Sequence, residues 1–278
     1  MGVQHSHGST GPIVSFENST FIYAGTYNVY LRNSRNISIA GNTMASVTTG
    51  GGSGLYAINS DNVTVYGNLF ANHTTGGNAR GIEMAYGNDY WNVSSNRFTN
   101  NYYGIFDYGS GPANTFCTFS LNNISGSGHS GILIYYSDNQ TYRDNNFANN
   151  VYGVNINYDT AEGNRFISNN FTGSTSTSIY FASIGCMDAN FSGNRVDGYR
   201  YIHCYNQSGF IDGNSTINTN RVTNYGAANI YLCNNALLKN ITVSSHQSGT
   251  YGGLFIANSD NVTVRNSLFS NNTYGIHL

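Results

Sequence analysis

A repeated segment constrains this chain more than any other feature of its sequence. Residues 59–74 begin Asn-Ser-Asp-Asn-Val-Thr-Val, and the same seven residues open the segment 258–273, almost 200 residues later. Near-copies at opposite ends of one chain indicate an internal repeat, in which each unit packs on its neighbours instead of around a separate core.

Aligning the chain on Phe70 and Phe269 extends the repeat to most of its length. Apolar residues recur at intervals of 21 to 28 residues, with a mean of 25. This core row consists of Met44, Phe70, Phe98, Ile124, Phe147, Phe171, Val196, Val222, Val243 and Phe269. Asparagine lies two residues before eight of the ten, at Asn42, Asn68, Asn96, Asn122, Asn145, Asn169, Asn194 and Asn220.

A second row of aliphatic residues, often preceded by glycine, alternates with the first. It consists of Val29, Leu55, Ile82, Ile105, Ile132, Val154, Ile179, Ile202, Ile230, Leu254 and Ile276. Alternation with a period of two around these positions predicts strands with one buried face. Asparagine and glycine suit the corners between strands, and asparagine tolerates the left-handed backbone that a sharp corner requires.

A unit of about 25 residues with two or three short strands cannot bury its apolar row alone, but a stack of units can. The sequence therefore predicts an all-β, single-stranded parallel β-helix (a solenoid) of about ten rungs of about 25 residues, a rung being one turn of the chain. We expect the β-helix domain to span 12–278 and residues 1–11 to form a flexible N-terminal arm. The asparagines of successive rungs should hydrogen-bond to one another in a ladder.

The composition limits the binding partners and the cellular location that we expect for the protein. The chain has 44 Asn, 33 Gly and 23 Tyr, a net charge of −2 and no basic run, so nucleic acid is not an expected partner. No transmembrane segment and no signal peptide are visible, so any signal was removed or lies outside the fragment. Fourteen Asn-x-Ser/Thr sequons favour an extracellular or cell-surface glycoprotein. The candidate glycosylation sites are Asn18, Asn36, Asn62, Asn92, Asn123, Asn170, Asn240 and Asn261.

Units of the type Asn-Val-Thr-Val-x-x-Asn-x-Phe-x-Asn-Asn-x-x-Gly-Ile resemble the repeats of the pectin-lyase-like superfamily. They are most similar to the NosD-like and carbohydrate-binding/sugar-hydrolase repeats of archaeal and bacterial envelope proteins. The resemblance covers the chain from about Ile13 to Leu278 and implies a right-handed parallel β-helix. It does not imply one activity, because the superfamily includes lyases, hydrolases, epimerases, adhesins and structural proteins.

The catalytic patterns of that superfamily are incomplete in this chain. The polygalacturonase-like pattern is reduced to Gly128-His129-Ser130-Gly131 without an acidic pair, and Arg143-Asp144 lacks the acidic partners of a pectate-lyase-like site. The sequence therefore favours a protein that is not an enzyme. Asp107 is the one weak catalytic candidate, because it occupies a row otherwise filled by apolar residues. The favoured alternative is a local bulge that turns Asp107 outward.

Metal and disulfide sites are weakly specified by the sequence. No cofactor is expected, although Asp61 and Asp89 lie at similar corners of successive rungs and could share a Ca²⁺ ion. Four cysteines, Cys117, Cys186, Cys204 and Cys233, permit three complete pairings, and buried free thiols are an equally good interpretation.

The outward row beside the second row is rich in aromatic residues. It reads Tyr56, Glu83, Phe106, Leu133, Asn155, Tyr180, His203, Tyr231, Phe255 and His277. The candidate binding residues are its rings Tyr56, Phe106, Tyr180, His203, Tyr231 and Phe255. Such a row could stack on sugar rings or pack against a second copy or a covering loop, and packing is favoured.

The expected function follows from these surfaces. The chain stops in mid-rung at Leu278 and contains a single lysine, so it lacks the features that usually prevent edge-to-edge pairing of strands. The sequence therefore predicts a structural cell-envelope protein that self-associates into a filament, sheath or lattice. The alternative is a β-helix that binds or degrades a polysaccharide.

Overall fold

The computed structural model describes residues 3–6, 14–109, 111–157, 163–219, 221–247 and 251–278. The chain is a right-handed parallel β-solenoid of about ten rungs, which confirms the predicted fold class. Two short 3-10 helices, Thr75–Gly77 and Ile184–Asp188, interrupt the strands. No helix among these residues is long and apolar enough to cross a lipid bilayer.

The first stack of rungs has three parallel sheets, one for each side of the solenoid. Sheet one contains Val3–Ser6, Tyr27–Arg32, Ser53–Ile58, Arg80–Ala85, Tyr103–Tyr108, Ser130–Tyr135, Tyr152–Asn157 and Thr177–Phe181. Sheet two contains Val14–Glu17, Arg35–Ala40, Asp61–Tyr66, Asn92–Ser94, Thr118–Ser120, Thr141–Arg143, Arg165–Ile167 and Asn190–Ser192. Sheet three contains Thr20–Ile22, Thr43–Ala45, Leu69–Ala71, Arg97–Thr99, Asn123–Ser125, Asn146–Ala148, Asn170–Thr172, Arg195–Val196 and Tyr199–Arg200.

The second stack continues the solenoid with three smaller sheets. One consists of Ile202–Tyr205, Ala228–Tyr231, Leu254–Ala257 and Ile276–His277. The others consist of Ile211–Gly213, Leu237–Lys239 and Thr263–Arg265, and of Thr216–Asn218, Thr242–Ser244 and Leu268–Ser270. Of the four cysteines, Cys204 and Cys233 form a disulfide within this stack, whereas Cys117 and Cys186 are buried free thiols.

The first four residues that the structure describes lie in the segment expected to be an N-terminal arm. Val3–Ser6 pairs in parallel with sheet one, with Val3 opposite Val29. The domain boundary at residue 12 stays a prediction.

The core row is confirmed through the first stack. Phe70 and Phe98 occupy one register in sheet three, and their rings stack with centroids 4.8 Å apart. Glycine precedes the second row because sheet one approaches these rings closely. A Cβ atom on Gly81 would lie 2.8 Å from the Phe98 ring and 2.6 Å from the carbonyl oxygen of Gly104. The space that a side chain would take is filled by the neighbouring rung.

The predicted asparagine ladder is present and buried. From Asn42 to Asn194, each side-chain amide donates to the Oδ1 atom of the next asparagine at 3.0 or 3.1 Å. The same Oδ1 also accepts from the backbone N–H of the preceding asparagine. Asn220 lies outside the described residues. The left-handed corner residue is not the ladder asparagine but the residue before it, for example Gly67 (φ 64°) or Leu121 (φ 57°).

The rungs lose their regular register after Val196. Asp197 and Gly198, at φ 48° and 84°, form a two-residue turn that folds Tyr199–Arg200 back on sheet three as its one antiparallel strand. Two rows are corrected as a result. Ile217, not Val222, pairs with Val243, while Val222 lies beside Ile179 of sheet one. Ile230 pairs with Cys204, and the partner of Ile202 is Ala228.

Candidate functional site

The outward face of sheet one carries a continuous row of side chains in register. Parallel pairing aligns Tyr56 with Glu83, Glu83 with Phe106, and so on through Leu133 and Asn155 to Tyr180. Tyr30 extends the row by one rung. Six rung spacings separate Tyr30 from Tyr180, which corresponds to about 29 Å along the solenoid axis.

Aromatic rings cluster at the first end of this face. Tyr27 stacks on Tyr56 with ring centroids 4.6 Å apart, and Tyr30 lies 5.3 Å from Tyr56. All three rings are half-buried against one another. The parallel register produces this cluster, because aligned strands bring the same outward position of each rung together.

A second cluster surrounds Phe106. Its ring lies 5.6 Å from Tyr103 and 5.4 Å from Tyr108. From Tyr103 the aromatic contacts continue to His129 at 5.0 Å, then to Tyr152 at 5.2 Å and to Tyr180 at 5.1 Å. The rings therefore form one band across the face.

Between the two clusters lies an ion pair on the same face. The Glu83 carboxylate accepts a hydrogen bond from Ser53 Oγ at 2.7 Å, and its Oε2 lies 3.5 Å from Arg80 Nη1. The Arg80 guanidinium also lies over the Phe106 ring, 4.9 Å from the centroid. The pair thus joins the two aromatic clusters and is the one ion pair of the band among the residues that the structure describes.

Burial shifts the pKa values of groups on this face. It raises the pKa of Glu83, and the Arg80 charge and the Ser53 hydrogen bond offset part of that increase. Burial and the Glu83 charge raise the pKa of Tyr56 to about 12, so the phenol is neutral at physiological pH. Burial lowers the pKa of His129, which favours a neutral imidazole whose Nδ1 lies 2.8 Å from Ser130 Oγ.

Three of the predicted binding residues do not belong to this band. His203 was expected to be exposed but is buried near Ile184–Asp188, with its Nε2 3.1 Å from the Met187 carbonyl. Phe255 is buried against Tyr251. Tyr231 pairs with Tyr205, two positions away from the row that contains His203 and Phe255. The register change after Val196 accounts for the position of Tyr231, whereas the residues packed over His203 and Phe255 account for their burial.

Asp107 points into the core, so the outward orientation favoured by the sequence is wrong. Its carboxylate has no solvent exposure and accepts hydrogen bonds from Asn114 Nδ2 (2.8 Å), Ser137 Oγ (2.7 Å) and Tyr142 Oη (3.0 Å). Burial raises the pKa of Asp107 to about 6, although the three donors favour the ionised form. Because these groups satisfy the hydrogen bonding of the buried carboxylate, we expect Asp107 to affect the free energy of unfolding.

Asp61 and Asp89 lie in one corner column, but other groups hold their carboxylates. Arg35 Nε donates to Asp61 Oδ2 at 3.1 Å, and Thr115 donates to Asp89 Oδ1 through both its hydroxyl and its backbone N–H. No group of three or more His, Cys, Asp or Glu side chains in the described ranges could hold a metal ion. The shared Ca²⁺ site stays a prediction.

The eight candidate glycosylation sites all reach the surface to some degree. Asn36 and Asn170 are half-buried and the other six are exposed. Several form outer pairs with asparagines of the next rung, as between Asn62 Nδ2 and Asn36 Oδ1 at 2.6 Å. Glycan occupancy at these sites stays a prediction.

Residues 80–236 match the family model described as right handed beta helix region. The chain belongs to this family. A similar solved structure is that of the alginate lyase from Paenibacillus sp. str. FPU-7, with a TM-score of 0.50 and 12% sequence identity. The alignment covers 91% of this chain and 97% of the alginate lyase. Among curated proteins, none matches this beta helix. At 12% identity the likeness concerns the fold alone.

Proposed function

We propose that this β-helix is an extracellular polysaccharide-binding protein and that the outward face of sheet one holds the glycan. The observation that carries the proposal is the aromatic band from Tyr27 to Tyr180, with the Glu83–Arg80 pair at its middle. The fold shared with an alginate lyase supports a polysaccharide as the ligand class.

The chemistry of the band suits a sugar chain. Sugar rings present C–H faces that pack on aromatic rings, and their hydroxyls need both donors and acceptors. Glu83 and Arg80 offer these in the middle of a face that is otherwise rich in aromatic rings. Farther along the row, Asn155 Oδ1 is buried without a hydrogen-bond partner in the described part of the chain, so it is an acceptor that a hydroxyl could satisfy after a small side-chain movement.

The location proposed is outside the cell, where polysaccharides are found. The disulfide between Cys204 and Cys233 supports it, because such bonds persist in oxidising compartments.

Replacing Tyr56 and Phe106 together by alanine should weaken glycan binding roughly tenfold or more, because both clusters lose their central ring. A glycan array would select the ligand, and isothermal titration calorimetry would measure the dissociation constant. Tyr23→Ala is the matched control, since Tyr23 is 70% exposed and lies off this face. An array without any ligand, or equal affinity in the double variant, would refute the proposal. A lyase and hydrolase screen on the same glycans tests for turnover.

Self-association is a second proposal, supported by one observation. The apolar side chains of Leu268 and Ile276 are exposed. If these side chains bind a second copy, the elution volume in size-exclusion chromatography should decrease as concentration rises, and Leu268→Asp should abolish the change. A concentration-independent monomer would contradict this proposal and leave the glycan proposal unaffected.

A further inference from the structure

A recess of about 610 Å³ lies on the outward side of sheet two, away from the aromatic band. Its floor is polar: Asn92 and Ser94 come from one strand, and Thr118 and Ser120 from the next strand in register. The volume lies within the range typical of small-molecule pockets.

The recess exists because small residues are bracketed by large ones in the same column. Parallel pairing places Tyr66, Ser94, Ser120 and Arg143 in consecutive rungs. The two serines leave the floor low, while Tyr66 and Arg143 close the recess at its two ends along the solenoid axis.

Exposed large side chains form the other two walls. Tyr90 and Phe116 line the corner between sheets one and two, with rings stacked 5.5 Å apart and 61% and 53% exposed. Leu121 lines the corner between sheets two and three and is 61% exposed. A floor of amide and hydroxyl groups between aromatic and aliphatic walls is suited to a sugar ring.

The three wall residues occupy backbone positions that disfavour them. Tyr90, Phe116 and Leu121 have φ angles of 59°, 57° and 57°, in the left-handed region. Asparagine or glycine is the usual occupant of such positions. The column of Tyr90 and Phe116 has asparagine at Asn36, Asn62 and Asn139, and the column of Leu121 has glycine at Gly41 and Gly67. Large exposed side chains therefore cost stability here without filling the core, which is typical of residues kept for binding.

The charges around the recess indicate which class of ligand it can bind. Arg143 is exposed and forms no ion pair with any residue that the structure describes, whereas the lining contains no acidic side chain. Two nearby acidic residues lie outside the lining: Asp89, which accepts hydrogen bonds from Thr115, and Asp144, which is exposed at the corner after Arg143. A guanidinium at one end of a neutral polar floor favours a carboxylate or sulfate on the sugar.

We propose that this recess is a second saccharide site, specific for an acidic sugar unit, with Tyr90, Phe116 and Leu121 as walls and Arg143 as the anion-binding group. It lies on a different sheet from the glycan-binding face proposed above. Variants of the two sites therefore separate one proposal from the other.

The test uses the full chain secreted from a bacterial host that attaches no N-glycans, because a glycan on Asn92 would occupy the floor of the recess. The probes are a tetrasaccharide of 1,4-linked hexuronate and its neutral 1,4-linked glucose counterpart, each titrated by calorimetry. Tyr90→Asn with Phe116→Asn should lower the affinity for the acidic probe roughly tenfold or more. Arg143→Gln should reduce the difference between the affinities for the acidic probe and for the neutral probe.

Folding is controlled within the same design. Because asparagine is the residue of this column in other rungs, the double asparagine variant should melt at the temperature of the unchanged protein or above it. The Tyr56→Ala/Phe106→Ala variant should retain binding at the recess. The assignment would be overturned by unchanged affinity in the double asparagine variant or by a glycan on Asn92 in native material. It would also be overturned if Tyr56→Ala/Phe106→Ala by itself abolished binding of the acidic probe.

Discussion

Asn122→Ala should destabilise the protein by about 3 kcal/mol or more. Asn122 Oδ1 accepts from both the backbone N–H and the side-chain amide of Asn96, at 2.9 and 3.1 Å. Asn122 Nδ2 donates to the Val93 carbonyl and to Asn145 Oδ1, at 2.9 and 3.0 Å. Alanine leaves these buried groups without their partner and opens a small void, and both effects oppose folding.

The adjacent Asn123 provides a matched control for this prediction. It is exposed, and its Oδ1 accepts a hydrogen bond from Asn146 at the surface. Asn123→Ala should therefore change the free energy of unfolding by less than about 0.5 kcal/mol. Guanidinium unfolding and calorimetry of the two variants make the comparison, and equal midpoints would show that the ladder contributes little.

The free energy of unfolding of Asp107→Asn should increase relative to that of the native protein as the pH rises from about 4 to 6. The folded pKa of Asp107, about 6, lies above its ordinary value of 3.8. In that interval the unfolded chain releases the proton while the folded protein keeps it, so the native protein loses stability as pH increases. The shift corresponds to about 3 kcal/mol, a difference that persists above pH 6.

The measurement is the difference in unfolding free energy between Asp107→Asn and the native protein at a series of pH values. Taking the difference removes the contributions of other groups, including His73 and His203, whose pKa values burial lowers to about 4. Asp144→Asn controls for the loss of one surface charge, because Asp144 is exposed. A difference that does not vary between pH 4 and 7 would show that Asp107 is ionised in the folded protein throughout.

The repeat predicted the fold because its signal is periodic and local. The positions of Asn122 and Phe98 are dictated by the same packing in every rung, so ten imperfect copies reinforce one another. The left-handed corner residue is harder to predict from the sequence, because glycine, serine, leucine and aspartate all occur there in addition to asparagine. At such corners the fold requires a backbone conformation more than a particular side chain.

The break after Val196 was missed, although the sequence contains a signal for it. Asp197-Gly198 is a typical two-residue hairpin turn, and the regular spacing of the apolar row obscured it. This turn explains the displaced positions of Val222 and Ile230, whereas the burial of His203 comes from the segment Ile184–Asp188. The aromatic row was predictable as far as Tyr180, whereas the sheet-two recess depends on Tyr66, Ser94 and Arg143 coming from separate rungs. Only an exact register brings those residues together.

Successive rungs are tied by different chemistry in the two stacks. Amide hydrogen bonds form an unbroken line from Asn42 to Asn194, whereas Ile241 and Ser267 take the ladder positions in the second stack, where the disulfide links two rungs. Reduction of that disulfide thus acts directly on the second stack. Both proposed saccharide sites lie in the first stack, so glycan binding should be unchanged when a reductant opens the bond between Cys204 and Cys233.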